Sequence, residues 1–177
     1  MNIERVKVGK LKCNCYILGI DNDVLVIDPG DEGEKIINVI GDRKVNGIII
    51  THHHFDHDGA VNDIISKYGA VMYDKNNLSE GSHKIGKFSF DVIYTPGHRY
   101  DLIVIYFKKE KMMFVGDFIF KDSIGRCDLP GGSVSDMIKS LEKIKKYDRD
   151  IIIYPGHGIE TTLGYEINNN AYFREFV

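Results

Sequence analysis

No part of this chain is apolar for long. The longest uninterrupted apolar run is Leu102 to Phe107, far short of the roughly 20 residues that cross a bilayer, so no membrane association is expected. The segment Met1 to Lys12 carries Glu4, Arg5, Lys7, Lys10 and Lys12. It lacks an apolar h-region, and no secretory leader is read there. Cysteine is scarce: Cys13, Cys15 and Cys127 only. An odd number without a leader points to reduced thiols and a cytoplasmic location. Neither sign of charge is in excess, with 23 Lys+Arg against 26 Asp+Glu and a net charge of −3. That balance gives no basic footprint, and a nucleic-acid partner is not expected. Repeats, low-complexity tracts and Pro/Gly/Ser linkers are also missing, so nothing divides the chain.

What is present is the composition of a globular protein, 43% hydrophobic and 28% charged over 177 residues. One domain over residues 1–177 is expected, with a core large enough to need no disulfide. Runs rich in Val, Ile and aromatics predict strands at Asn14–Gly19, Val24–Asp28, Gly47–Thr51, Ala70–Tyr73, Phe88–Tyr94, Leu102–Phe107, Lys111–Val115 and Ile151–Tyr154. Turns are expected at Asp21–Asp23 and Lys108–Glu110. Three- and four-residue apolar spacing predicts helices over Glu32–Ile40, Gly59–Tyr68 and Val134–Tyr147, with Asp58 and Ser133 as caps of the last two. Cys13 and Cys15 share a face of their strand and read as small buried residues. Strands that outnumber helices predict sheets inside and helices outside.

Chemistry collects where the apolar strands end. Asp28-Pro29-Gly30, Thr51-His52-His53-His54-Phe55-Asp56-His57, Thr95-Pro96-Gly97-His98, Gly116-Asp117 and Pro155-Gly156-His157-Gly158 all fall there. Six of the seven histidines lie in these loops; His83 does not. An extended backbone points His52 and His54 the same way, and Asp56 and His57 follow as the chain turns into a helix. Imidazole nitrogens and carboxylate oxygens suit a borderline divalent ion such as Zn²⁺. Seven candidates exceed the four ligands of one tetrahedral site, so two ions are expected. His52, His54 and His98 fall to one and Asp56, His57 and His157 to the other, with Asp117 shared. A pair of ions can ionise a water near neutral pH, the equipment of a hydrolase without a Ser or Cys nucleophile. Asp56 and Asp117 are the carboxylates expected to take part in catalysis, Asp56 by steering the hydroxide. His and Asp ligands suit Fe or Mn as well as Zn.

These motifs resemble the metallo-β-lactamase superfamily over nearly the whole chain, from Asn14-Cys15-Tyr16 through Val26-Ile27-Asp28-Pro29-Gly30 to Pro155-Gly156-His157. The loop Asp122 to Gly132 and the stretch His157 to Glu166 are similar to its glyoxalase II (hydroxyacylglutathione hydrolase) branch. The resemblance implies a four-layer αββα sandwich, the seven residues above as metal ligands, and hydrolysis of a small hydroxyacyl thioester. Some relatives are mononuclear iron persulfide dioxygenases, which is the alternative; nucleases of the same fold are a more distant one. Full-length glyoxalase II enzymes carry a further helical domain that helps bind glutathione, and the residues after His157 are too few for it. Relatives often follow the third ligand with Thr-x-Gly-Ser or Thr-x-Gly-His, where this chain has Arg99-Tyr100-Asp101-Leu102. Cys127 stands where Thr is common.

The remaining residues have simpler readings. His53 should point away from its neighbours, and His83 lies in a polar, solvated stretch. Asp28 either orients a histidine through its second nitrogen or serves the turn before Pro29. Arg126 is read as an anchor of its loop. Arg99 and Tyr100 are read as equally suited to the pocket mouth and to an ordinary exposed pair.

Overall fold

The computed structural model describes residues 1–176. Strands β1 (Asn2–Val8), β2 (Cys13–Ile20) and β3 (Asp23–Ile27) form an antiparallel meander. Helix α1 (Gly33–Ile40) then crosses to β4 (Lys44–Ile49), which is parallel to β3. A short helix α2 (Phe55–Asp58), then α3 (Val61–Tyr68), lead to β5 (Met72–Tyr73), which closes the first sheet in the order β1-β2-β3-β4-β5. The second sheet begins with β6 (Gly81–Ile85), β7 (Phe88–Tyr94), β8 (Ile103–Phe107) and β9 (Met112–Gly116), all antiparallel. After a small hairpin of β10 (Ile119–Phe120) and β11 (Ser123–Ile124) comes α4 (Val134–Ile144). Strand β12 (Ile152–Pro155) then lies parallel to β9, and β13 (Thr161–Thr162) flanks it. Helices α5 (Leu163–Asn169) and α6 (Ala171–Phe176) end the described chain.

Side-chain alternation makes the layers. On β2 and β3, Cys15, Ile17, Val24 and Val26 face outward, where Ile36 and Ile40 of α1 and Ile64 of α3 cover them. The residues between them, Tyr16, Leu18, Leu25 and Ile27, face the second sheet and pack on Phe88, Ile103, Ile105, Phe107 and Phe114. The outer face of the second sheet buries Val104, Met113, Val115 and Ile153 against Met137, Leu141 and Ile144 of α4, Leu163 of α5 and Phe173 of α6. Three apolar seams therefore separate four layers, αββα, as the resemblance implies. Polar bonds tie the two sheets along one edge. Asn14 donates its backbone N–H to the Gly156 carbonyl (2.7 Å) and its Nδ2 to that of Pro155 (2.9 Å), which also accepts from the Tyr16 hydroxyl (2.7 Å).

Several local expectations need correction. The charged N-terminal segment is β1, an edge strand that buries only Val6 and Val8. The stretch around His83 is likewise an edge strand, β6; the ring is half-buried, and its Nε2 bonds the Ser79 carbonyl (2.7 Å). Asp58 caps no helix. The helix expected from Gly59 begins at Val61, because Ala60 is its N-cap with non-helical φ and ψ of −101° and 9°; the Ala60 N–H bonds the Pro29 carbonyl (2.9 Å). Ser133 does cap α4, accepting the Asp136 N–H (3.2 Å), but α4 ends at Ile144 rather than Tyr147.

Candidate metal centre

Strands β3, β4, β7, β9 and β12 all end at the same edge of the sandwich. There the segments after them bring together His52, His54, Asp56, His57, His98, Asp117 and His157. Three nitrogens converge first: His54 Nδ1 lies 3.0 Å from His52 Nε2 and 2.9 Å from His98 Nε2. Beside them, His157 Nε2 is 3.1 Å from Asp56 Oδ2, and His57 Nε2 is 3.8 Å from that oxygen. Asp117 stands between the groups, with Oδ1 3.3 Å from His57 Nε2 and Oδ2 3.7 Å from His98 Nε2 and 3.6 Å from His157 Nε2. Ligands around a tetrahedral zinc at 2.0–2.1 Å stand about 3.3 Å from one another, so these gaps are of coordination size.

The rings are aimed from behind. The Asp28 carboxylate accepts the Thr51 N–H and hydroxyl at Oδ1 and Oδ2 (both 2.7 Å), and Oδ2 also takes His57 Nδ1 (2.9 Å). With its proton given to Asp28, the Thr51 hydroxyl accepts from His52 Nδ1 (3.2 Å). His98 Nδ1 donates to the Arg126 carbonyl (2.7 Å) and His157 Nδ1 to that of Leu11 (3.1 Å). Carbonyl oxygens only accept, so the proton of the neutral ring sits on Nδ1 and the Nε2 lone pair faces the centre. His54 is the exception and presents Nδ1. Among the described residues, the buried His57 Nε2 and Asp117 Oδ1 lack a hydrogen-bond partner. Unpaired polar atoms at such depth are costly, and a cation between them would satisfy both.

Charge divides the centre. Burial and the neighbouring His57, His98 and His54 imidazoles drive His52 well below the ordinary imidazole range. Burial, with His98 and Arg99, also lowers His54. Burial pulls His57 the same way, but the Asp28 charge, the nearby Asp117 carboxylate and the bond to Asp28 outweigh it and hold the ring well above that range. His157 is raised because Asp56 and Asp117 overcome its burial. In turn, the imidazoles overcome the burial of Asp56 and Asp117 and lower both. His52 and His54 are thus ready as neutral nitrogen, while His57 and His157 are ion-paired and must release protons to bind a cation.

Other residues fall to the periphery. Cys13 and Cys15 are buried on one face of β2. The Cys13 thiol lies 3.7 Å from His57 Nδ1 and within 4.8 Å of donor atoms of Asp56 and His157, so it borders the second group; burial pushes it up to about 11 despite the His57 contact. It is a neutral thiol there. The Cys127 thiol donates to the Gly125 carbonyl (3.5 Å) and packs against the core beneath α4. Arg126 pairs with Asp128 through two 2.7 Å bonds, an anchor of its own loop. Tyr100 is 61% exposed, whereas Arg99 turns inward. His53 indeed points away, to Asp58 and Asp74. A cavity of about 550 Å³ opens over the centre, walled by Leu11, Phe55, Phe120, Ile124 and Leu129. A larger groove of about 740 Å³ beside α1 and α3 holds Glu32, Lys35, Asp63 and Lys67 but no convergence of donors.

The sequence profile of the metallo-beta-lactamase superfamily matches residues 8–73 and 75–157. The chain belongs to this superfamily. Within it, the chain is 30% identical to the hydroxyacylglutathione hydrolase GloC of Haemophilus influenzae, with 97% of this chain and 98% of that protein aligned. Among solved structures, the B3 metallo-beta-lactamase BLEG-1 superposes with a TM-score of 0.93 at 29% identity, covering 97% of this chain and 99% of the other. A di-iron-bound form of TTHA1623 gives 0.88 at 29% identity, covering 96% and 99%. The metallo-beta-lactamase fold binds divalent metals, and the donor groups described above fit that property.

Proposed function

We propose that the protein is a glyoxalase II-like thioesterase that hydrolyses a small hydroxyacyl thioester with two divalent ions. The observation that carries this reading is the pair of donor groups joined by Asp117, with His57 Nε2 and Asp117 Oδ1 buried and unpartnered between them. His52, His54 and His98 would hold one ion and Asp56, His57 and His157 the other, with Asp117 shared. Two such ions supply a water ionised near neutral pH and positive charge for a developing oxyanion. Zinc, iron and manganese all suit these ligands.

The chain's own residues do the rest. Asp28 and Thr51 fix the rings of His57 and His52, so the donors need no rearrangement. Asp56, half-buried at the cavity floor, orients the attacking water and can take its proton. The apolar walls exclude bulk water from the carbonyl, which strengthens every charge interaction inside. A thiol ionises near 8.5, so the thiolate leaves without a strong general acid. The likeness to GloC supports the hydroxyacyl thioester as substrate class. A mononuclear dioxygenase would leave Asp56, His57 and His157 without work, and their convergence favours two ions.

The test is metal content followed by turnover of lactoyl thioesters on several carrier thiols. Two ions per chain and release of free thiol are expected. One iron with oxygen uptake on a persulfide, or no thioester turnover with any carrier, overturns the reading.

The two groups should also differ in proton release. His52 and His54 are lowered, so near pH 7 they need shed no proton to bind. His57 is raised and must lose one. Each proton displaced makes affinity fall up to about tenfold per pH unit of acidification. Calorimetry in two buffers of different ionisation enthalpy should show more proton release on filling the second group, where His57 and His157 are both raised, than on filling the first. Equal release from both would contradict this assignment.

A further inference from the structure

Two of the four residues after His98 share a task in the structure. Arg99 and Asp101 form a largely buried ion pair, Nε to Oδ1 2.9 Å but not aligned as a hydrogen bond, with side chains 21% and 8% exposed. Both also reach one residue of another loop. Asp101 Oδ2 accepts the His53 N–H (3.2 Å), and the Arg99 guanidinium donates to the His53 carbonyl. The His53 N–H belongs to the peptide that joins it to His52, and its carbonyl to the peptide that joins it to His54. The ion pair thus grips both peptide units between two converging imidazoles. It does so from the segment that begins with the third, His98. The His53 side chain adds a second anchor, with Nδ1 2.9 Å from Asp58 Oδ2 and Nε2 2.8 Å from Asp74 Oδ2. Asp74 is itself fixed by the Asn76 N–H (2.8 Å) and Nδ2 (2.9 Å).

We propose that Arg99 and Asp101 are positioning residues that lock the three-histidine group by clamping the His53 backbone across the two loops. The proposal rests on the two-ion reading. A bridge between the loops holds His52, His54 and His98 at their 2.9–3.0 Å spacing before any ion arrives. The second group does not depend on it: among the described residues its anchors are Asp28 for His57 and the Leu11 carbonyl for His157. Arginine is the residue suited to this place, because its fork meets a carboxylate and a carbonyl at once, whereas a lysine ammonium is a single point of charge.

The test isolates each group. A His157→Ala background leaves the three-histidine group to be titrated with zinc against a competing chelator, and a His54→Ala background leaves the other. Arg99→Met, Asp101→Leu and the double variant go into both. Zinc affinity of the first group should fall about 10- to 100-fold in every variant, the range for lost support behind metal ligands. The second group should stay within about threefold. Each single change strands a buried charge and lowers the melting temperature of the metal-free protein; the double change removes both charges and should recover much of it. Affinity at the first group should not recover with it, which separates positioning from bulk stability. Arg99→Lys should restore little of the affinity. Unchanged affinity at the first group, or parallel losses at both groups that track melting temperature, would overturn the clamp and leave the two-ion reading standing. If the unaltered protein binds no ion, both fall.

Discussion

Gly30→Ala is expected to abolish most activity by a methyl group that never touches the substrate. A Cβ at position 30 would lie 1.6 Å from the Asp56 carbonyl oxygen and 2.5 Å from its carbon, with the His57 nitrogen at 3.1 Å. All three are backbone atoms of α2, so no side chain can swing aside. The helix turn must shift, and it carries two of the donors. Overpacking of this kind costs about 1–3 kcal/mol or more in stability. Misplacement of reacting groups by 1 Å can cost 10²-fold in rate. The variant should keep its fold, lose at least about 100-fold in kcat/KM on a lactoyl thioester, and bind its second ion weakly. Wild-type kinetics with full metal content would show that α2 can move away without disturbing Asp56 and His57.

Asp117→Ala should be harsher. Asp117 lies near both donor groups, within 3.3 Å of His57 Nε2 and 3.7 Å of His98 Nε2. Its loss removes the carboxylate that lies 3.3 Å from the buried His57 Nε2 and balances its charge. Loss of support behind a metal ligand alone costs 10–100-fold, so loss of a ligand shared between two ions, the role proposed for Asp117, should exceed that. About 10³-fold in kcat/KM is expected, or about 4 kcal/mol in the barrier. Metal content should drop from two ions toward one. Asp117→Asn keeps the shape and loses the charge, and should fall between. Elemental analysis beside steady-state kinetics checks both; a variant that retains two ions and near-normal turnover would refute a bridging carboxylate.

The sequence displayed the donor set and the layers for the same reason: both follow a short period. Val24 and Val26 against Leu25 and Ile27 is alternation that any half-buried strand must show. His52-x-His54 uses that same alternation to put two rings on one side. What stayed hidden was set by distant chain. The edge strands β1 and β6 read as polar because only one side of each is covered. The acceptors that aim His98 and His157 are main-chain carbonyls of Arg126 and Leu11, which carry no side-chain signature. Arg99 looked equally suited to the pocket mouth, and only the fold shows the His53 peptide that draws it inward. Asp28 had two readings, and both hold. Its φ of 51° is a turn conformation that a non-glycine residue adopts at a cost, and its carboxylate orients His57.

The edge where Asn14 and Tyr16 reach across to Pro155 and Gly156 bears on how the two halves hold together. Backbone and side-chain bonds zip them there, so the join does not rest on the seven candidate ligands alone. A zinc finger, by contrast, has little besides its ion to keep its parts in register.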